Sequence, residues 1–373
     1  VTAVKVAFDS TPLAGIRTGI GRSVEGMLES LVATPDSVRV WPYLLGWQRL
    51  DESARALVAT TGRRPRRLPV PMRYLMASWA TRELPPLGPL GGGADVVHAT
   101  AFVAAPTRRP TLITVHDCAF ALHPDRVAAA VVTFDPLLRR AVARGAHLHT
   151  TTEQVGDEVC DLLGVDLRAQ QRLHVVPFGV PAVRHAPDPP PADAPYVLAL
   201  GTIEPRKNLP TLVRAFALAC EQIPELRLVL AGPPGPDSDR VAAQIASSGH
   251  PERVRLTGRV DDATRDRLLA GATVLAYPSV YEGFGFPVLE AMTLRTAVLA
   301  ADIPALREVA RDGATFADPH DPAALAAGIV ALVSDDAARQ AQVEAGARVA
   351  AGYTWGATAA GLTAAYRRLA TCR

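Results

Sequence analysis

Residues 277 to 292 read Tyr277-Pro-Ser-Val-Tyr-Glu-Gly-Phe-Gly-Phe-Pro-Val-Leu-Glu-Ala-Met292. Just upstream, Thr273 to Ala276 reads as a short buried strand, and Pro287 stands where a first-turn proline opens a helix. The pattern predicts strand, glycine loop and helix start, the repeating joint of a parallel α/β sheet. Gly283 and Gly285 let a backbone approach a ligand closely, and the N–H groups that open a helix suit a phosphate or the hydroxyls of a sugar. Two acids bracket the loop. Glu282 ends its strand side, and Glu290 is expected in the first helical turn, so that both carboxylates face one ligand edge. A tight connection would by itself account for the glycines, and an acid complementing the helix dipole would account for Glu290. The conjunction is more specific than either part.

Working outward, 373 residues are enough for two domains with separate cores. A hydrophobic fraction of 49% with 20% charged residues describes a globular chain without a membrane-length apolar run. The net charge of +2 is too small to imply nucleic acid as a partner. No basic segment followed by an apolar run opens the sequence, so the expected compartment is the cytoplasm. Cys118, Cys160, Cys220 and Cys372 show no C-x-x-C spacing, and reduced thiols are the expectation.

Val4 to Phe8 is predicted as the first strand, followed by a loop from Asp9 to Arg22 with Gly15, Gly19 and Gly21, and then an amphipathic helix. A dinucleotide fingerprint would need a third glycine or alanine where Val24 stands. Further strands are expected at Val38–Leu45, Asp95–His98, Thr111–Val115, His147–Thr150 and Leu173–Val176. His116 follows the strand Thr111–Val115 at its carboxyl end, where ligands bind in open α/β sheets, and a neutral imidazole there can donate to a sugar oxygen. Arg63, Arg64, Arg66 and Arg67, then Met72, Tyr74, Leu75, Met76 and Trp79, fit either a contact with an anionic membrane or a solvated turn before a core helix. Six prolines between 181 and 195 mark a semi-rigid linker. The expected domains are therefore 1–180, the linker 181–195, and 196–354, with a C-terminal helix over 355–373.

Within the second domain, strands are expected at Tyr196–Leu200, Leu226–Ala231, Val254–Thr257, Thr273–Ala276 and Ala297–Ala301. The first runs into Gly201-Thr-Ile-Glu-Pro-Arg-Lys-Asn208. Arg206 offers a planar fork for two phosphate oxygens and Lys207 a mobile point charge, a pair suited to a pyrophosphate, although adjacent cations are also common on plain solvated surface.

Taken together, Glu-Pro-Arg-Lys-Asn at 204–208 and Glu-Gly-Phe-Gly-Phe-Pro-x-x-Glu at 282–290 resemble the signature of the retaining glycosyltransferases of family 4. The Thr-Gly-Ile-Gly-Arg and Thr-Val-His-Asp segments resemble that family's amino-terminal motifs more loosely. The resemblance implies the GT-B fold, two Rossmann-like domains facing across a cleft, with the C-terminal helix crossing back to the first. It implies a mannosyltransferase-like enzyme that moves a hexose from a nucleotide sugar, GDP-mannose as first choice, to a glycan, lipid-linked or small-molecule hydroxyl. Arg206 and Lys207 would hold the diphosphate, Glu290 the ribose and Glu282 the donor sugar. Gly201, Gly283, Phe284 and Gly285 would complete the donor site, Gly19 and Gly21 would lie near the phosphates, and His116 would hold the sugar from the first domain. No metal or cofactor is expected, because the two cations take the role and no convincing Asp-x-Asp loop is present. A peripheral place at the inner face of the membrane fits a lipid-linked acceptor. The chain departs from the family at Arg295 and Ala297, where glycine and proline are usual; a left-handed helix stop is harder to make at an arginine. The alternatives are a sugar- or nucleotide-sugar-binding protein without turnover and an NAD-dependent oxidoreductase.

Overall fold

The computed structural model describes residues 3–14, 18–47, 51–124, 133–180 and 194–371. The chain divides into two compact units, one of Val1–Gly179 with Thr354–Arg373, the other of Val180–Tyr353. Residues 181–193 of the proline-rich stretch, together with Gly15 and Cys372, lie outside the described residues.

The first unit is built on a parallel sheet of seven described strands in the order β3-β2-β1-β4-β5-β6-β7. These are β1 (Val4–Asp9), β2 (Val38–Leu45), β3 (Arg66–Leu68), β4 (Val96–Ala99), β5 (Thr111–Thr114), β6 (His147–Thr150) and β7 (Leu173–Val175). Central strands are buried on both faces; every residue of β4 and β5 is buried, as expected of a sheet covered by helices on either side. Chain order reverses between β1 and β4, which pair through Val6↔Val96 and Phe8↔His98.

The second unit repeats the plan with β10-β9-β8-β11-β12-β13. Here the strands are β8 (Tyr196–Leu200), β9 (Arg227–Ala231), β10 (Val254–Gly258), β11 (Val274–Tyr277), β12 (Ala297–Ala301) and β13 (Thr315–Ala317). The reversal falls between β8 and β11, paired at Val274↔Val197 and Leu275↔Leu198. Loops that leave such a pair diverge to opposite faces of the sheet, and the gap between them is where ligands bind.

The helix Trp355–Thr371 belongs to the first unit, where it lies on the helix Gly19–Val32 and on β1, β4 and β5. Its first residue fills a slot at Gly26, where a Cβ would sit 2.2 Å from the Trp355 ring. The stretch around residue 75 follows the core-helix alternative. Leu75 and Trp79 are buried, and Met72 and Met76 pack against the same core, leaving Tyr74 as the exposed aromatic of the helix Met72–Thr81. Arg63 of the preceding basic run stacks on Trp41, 4.1 Å from its ring centroid. No helix among the described residues is long and apolar enough to cross a membrane.

Candidate donor site

In the second unit, the strands flanking the reversal supply the charged residues singled out in the sequence. The loop after β8 turns through a 3-10 segment, Pro205–Lys207, and Asn208 in a left-handed conformation then starts the helix Leu209–Cys220. The loop after β11 runs from Pro278 to Gly285 and opens the helix Phe286–Thr293. Two hydrogen bonds pin the loops together: Val280 N donates to Arg206 O at 2.9 Å, and Asn208 Nδ2 donates to Pro278 O at 3.2 Å. Asn208 Nδ2 also reaches Pro319 O at 2.6 Å.

Glu282 lies between the two cations. Its Oε2 accepts from Arg206 Nη1 at 2.7 Å and its Oε1 from Lys207 Nζ at 2.6 Å. Arg206 bridges on to Glu204 at 2.7 Å. Lys207 Nζ donates also to Tyr277 Oη at 2.6 Å and stands 4.5 Å from the centroid of the same ring. Lys207 and Glu282 are each only 7% exposed, so their electrostatics act in a largely water-excluded place. Burial alone would push the Glu282 carboxyl up, but Arg206 and Lys207 overcome it and hold the group at about 2. Burial pushes the Lys207 ammonium below the usual lysine range, with Glu282 opposing the shift.

Two glycines are required by this geometry. Gly201 has φ +133°, and a Cβ there would meet Lys207 Cε at 3.2 Å, so the bare backbone lets the lysine stem pass. Gly285 has φ +88°, and a Cβ would come within 2.6 Å of Leu306 Cδ2. Phe284 is buried, edge-on to Phe286 at 5.1 Å and to Tyr353 at 5.9 Å.

Glu290 is not in the first helical turn. The helix begins at Phe286, with Pro287 in its first turn, so Glu290 lies one turn further in, too deep to complement the dipole. It is buried and faces Arg265, Nη1 to Oε1 3.8 Å, and Arg265 is held in turn by Asp262 at 2.8 Å and Asp266 at 2.6 Å.

In the first unit, Gly19 and Gly21 differ from the predicted loop: they are in the first turn of the helix Gly19–Val32. Thr18 caps this helix, its side chain accepting from Gly21 N at 3.1 Å, and the cap explains why the helix starts before the apolar periodicity does. His116 follows β5, its ring tilted against Phe102 and Phe178. Nε2 donates to Thr100 O at 2.8 Å, and burial lowers the ring to about 4, so it is neutral. Neutral imidazole with its proton on Nε2 offers Nδ1 as an acceptor; the expected donation to a sugar oxygen is therefore reversed, and the ring can take a hydrogen bond from a hydroxyl.

Beneath His116 runs a buried polar chain whose directions follow from one carbonyl. His149 Nε2 must donate to Val176 O at 2.9 Å, so Thr114 donates to His149 Nδ1 at 2.9 Å. His98 Nε2 then donates to Thr114 Oγ1 at 2.8 Å, and Tyr366 Oη donates to His98 Nδ1 at 2.7 Å. His98 is thus a structural residue, tying the C-terminal helix to the sheet.

Sequence reasoning missed Tyr277, Glu204 and Arg265. Tyr277 opens the quoted stretch, but an aromatic at a strand end is ordinary without the knowledge that Lys207 packs on it. Among the described residues, no group of three or more His, Cys, Asp or Glu side chains is placed to hold a metal ion.

Residues 17–184 match the model of the family described as Glycosyltransferase Family 4, and residues 184–349 match Glycosyl transferases group 1. The chain is 37% identical over 162 residues to the O-antigen chain mannosyltransferase B of Escherichia coli, covering 43% of this chain and 42% of that one. It is 33% identical over 258 residues to the D-inositol 3-phosphate glycosyltransferase of Kineococcus radiotolerans, covering 62% and 59% respectively. These matches span about half the length of the curated relatives. In structure, the chain superposes on a sucrose-phosphate synthase from Thermosynechococcus elongatus with a TM-score of 0.77 at 20% identity, covering 99% of this chain and 100% of that one.

Proposed function

The chain belongs to glycosyltransferase family 4, with the two Rossmann-like domains of the GT-B fold, and from that premise we propose that it transfers a hexose, with retention and without a metal, from a nucleoside-diphosphate sugar to a hydroxyl acceptor. The observation that carries the reading is the pair Arg206 and Lys207, gathered on a buried carboxylate at the carboxyl ends of the two strands that flank the reversal.

In the reaction, the bond between the sugar C1 and the diphosphate oxygen breaks and its electron pair leaves with the diphosphate. Arg206 and Lys207 stabilise that growing negative charge from fixed positions, which is more effective in a dry site than in water. Glu282 lies against the donor sugar and Glu290 binds the ribose. A bond forms from the acceptor oxygen to C1 on the face the leaving group vacates, and the acceptor proton passes to the leaving phosphate. The neutral His116 accepts a hydrogen bond from a hydroxyl on the first unit. GDP-mannose is the first candidate donor, supported by the mannosyltransferase named among the relatives; a glycan or lipid-linked hydroxyl is the acceptor class. The reaction needs no cofactor.

The test is thermal unfolding in excess EDTA with GDP, UDP, ADP, dTDP, the matching nucleosides and NAD. A ligand at about 100 times its dissociation constant adds about 2.7 kcal/mol of stability. One nucleoside diphosphate is expected to raise the melting temperature well beyond its nucleoside, which also names the base. Shifts with NAD alone, or shifts that require Mg²⁺, would overturn the respective parts of the reading.

A further inference from the structure

Lys207 reaches its place along a flexible four-carbon stem, yet its ammonium makes two hydrogen bonds of 2.6 Å, to Glu282 Oε1 and to Tyr277 Oη. An ammonium has three N–H donors, so one is left for a ligand. Tyr277 is the last residue of β11 and is fixed by pairing with Ala300 of β12; it is 3% exposed. Its ring centroid lies 4.5 Å from Nζ, with the hydroxyl on the near side, so a side chain from a rigid strand end presents its acceptor to the ammonium from a fixed direction. Glu282 alone would hold the charge without fixing the direction of the remaining N–H.

We propose that Tyr277 is the positioning residue of the donor site, its hydroxyl keeping the Lys207 ammonium protonated and aimed at the diphosphate. This rests on the function proposed above. The charged groups around Lys207 are Glu282, Arg206 and Glu204. The phenol of Tyr277, in direct contact with Lys207, is raised well above its ordinary value by burial and by Glu282, so its hydroxyl keeps its proton where Lys207 begins to lose one. Burial already lowers the affinity of Lys207 for the proton, and loss of an acceptor lowers it further.

Tyr277→Phe deletes the hydroxyl and keeps the ring. Affinity for the nucleoside diphosphate that stabilises the unmodified protein is measured by calorimetry from pH 7 to 10.5, beside the matching nucleoside. The variant is expected to bind the diphosphate about tenfold more weakly, as for loss of a hydrogen bond to a charged group. Nucleoside affinity is expected to stay the same, and the alkaline fall in diphosphate affinity to move to lower pH. A variant whose alkaline limb coincides with the parent's, or which loses diphosphate and nucleoside equally, overturns the assignment while the function stands. A parent that does not favour diphosphate over nucleoside overturns the function and the assignment with it. Should the variant fail to fold, the unmutated chain grown with 3-fluorotyrosine, whose hydroxyl is a weaker acceptor, is expected to show the same acid-ward move; an unmoved limb counts against Tyr277.

Discussion

Arg295 holds a backbone angle that favours glycine, φ +59°. It follows the helix Phe286–Thr293, and the stop there is complete: Thr296 N donates to Ala291 O at 2.9 Å and Arg295 N to Met292 O at 3.1 Å. That is the 6→1 and 5→2 pair of a Schellman motif, made with arginine in the left-handed position. The expected difficulty of stopping the helix without glycine is thus met by accepting strain, of order 1 kcal/mol for a residue with a Cβ. The half-exposed side chain forms an ion pair with Glu344, a contact of a kind that contributes little. Arg295→Gly is therefore expected to leave stability unchanged or raise it by up to about 1 kcal/mol, whereas Arg295→Val, which branches at Cβ, is expected to lower it. Urea unfolding followed by circular dichroism measures both; a glycine variant clearly less stable than the parent would mean that the ion pair, and not the backbone, holds the turn. Since the arginine leaves the helix path intact, the departure from the family pattern does not displace Glu290.

At the scale of elements, the seating of the C-terminal helix on the first unit depends on absent side chains. Alanine in place of glycine in the interior of the helix Gly19–Val32 would by propensity alone stabilise it by about 1 kcal/mol. At Gly26 the added methyl would stand 2.2 Å from the Trp355 ring, a bulky group packed under Phe178. Overpacking of that kind costs about 1–3 kcal/mol, so Gly26→Ala is expected to destabilise, with a change in tryptophan fluorescence in the folded state. A stabilised variant would show that Trp355 does not occupy the slot. Most elements could be read from the sequence because parallel strands buried on both faces leave dense apolar runs, as at Tyr196–Leu200 and Ala297–Ala301. The two strands missed, β3 and β13, are three-residue edges, one of them Arg-Arg-Leu, with no apolar run to find. In the donor site, Arg206, Lys207 and Glu282 could be found because their charges stand in loops beside glycines. Gly19 and Gly21 read as loop residues because a cap at Thr18 leaves no periodic signal. The proton on His116 is not legible in the sequence because its partner, the Thr100 carbonyl, is sixteen residues away.

For the whole molecule, the two units are expected to respond differently to acid. In the first unit, burial lowers His116 and His149 to about 4 and holds His98 well below its ordinary value, against about 6.5 in an unfolded chain. A neutral folded histidine leaves stability untouched above pH 6.5 and withdraws it as the pH falls towards 4, because the unfolded state then binds more protons. Asp9 works the other way: burial raises it to about 6, opposed by its hydrogen bonds from Thr11, so the folded state gains protons first as the pH drops from 6 to 4. The displacements of His116, His149 and Asp9 each amount to about 3 kcal/mol at full effect, and with His98 lowered in the same direction the histidines outweigh the aspartate. In the second unit, Glu282 is held at about 2, so its contribution is present above pH 4.5 and lost only below. All four tryptophans, Trp41, Trp47, Trp79 and Trp355, belong to the first unit, so their fluorescence follows that unit alone, whereas far-ultraviolet circular dichroism follows both. At pH 7.5 the transition in urea seen by tryptophan is expected at its highest concentration, and at pH 5 it is expected to have moved down and to precede the loss of helix signal. Asp9→Asn removes the opposing gain, and the fluorescence midpoint should then fall more steeply between pH 6 and 4.5. A midpoint that stays level from pH 7.5 to 5 would mean that burial does not hold the histidines neutral, and one that falls no more steeply in Asp9→Asn would mean that the Asp9 carboxyl is not raised by its burial.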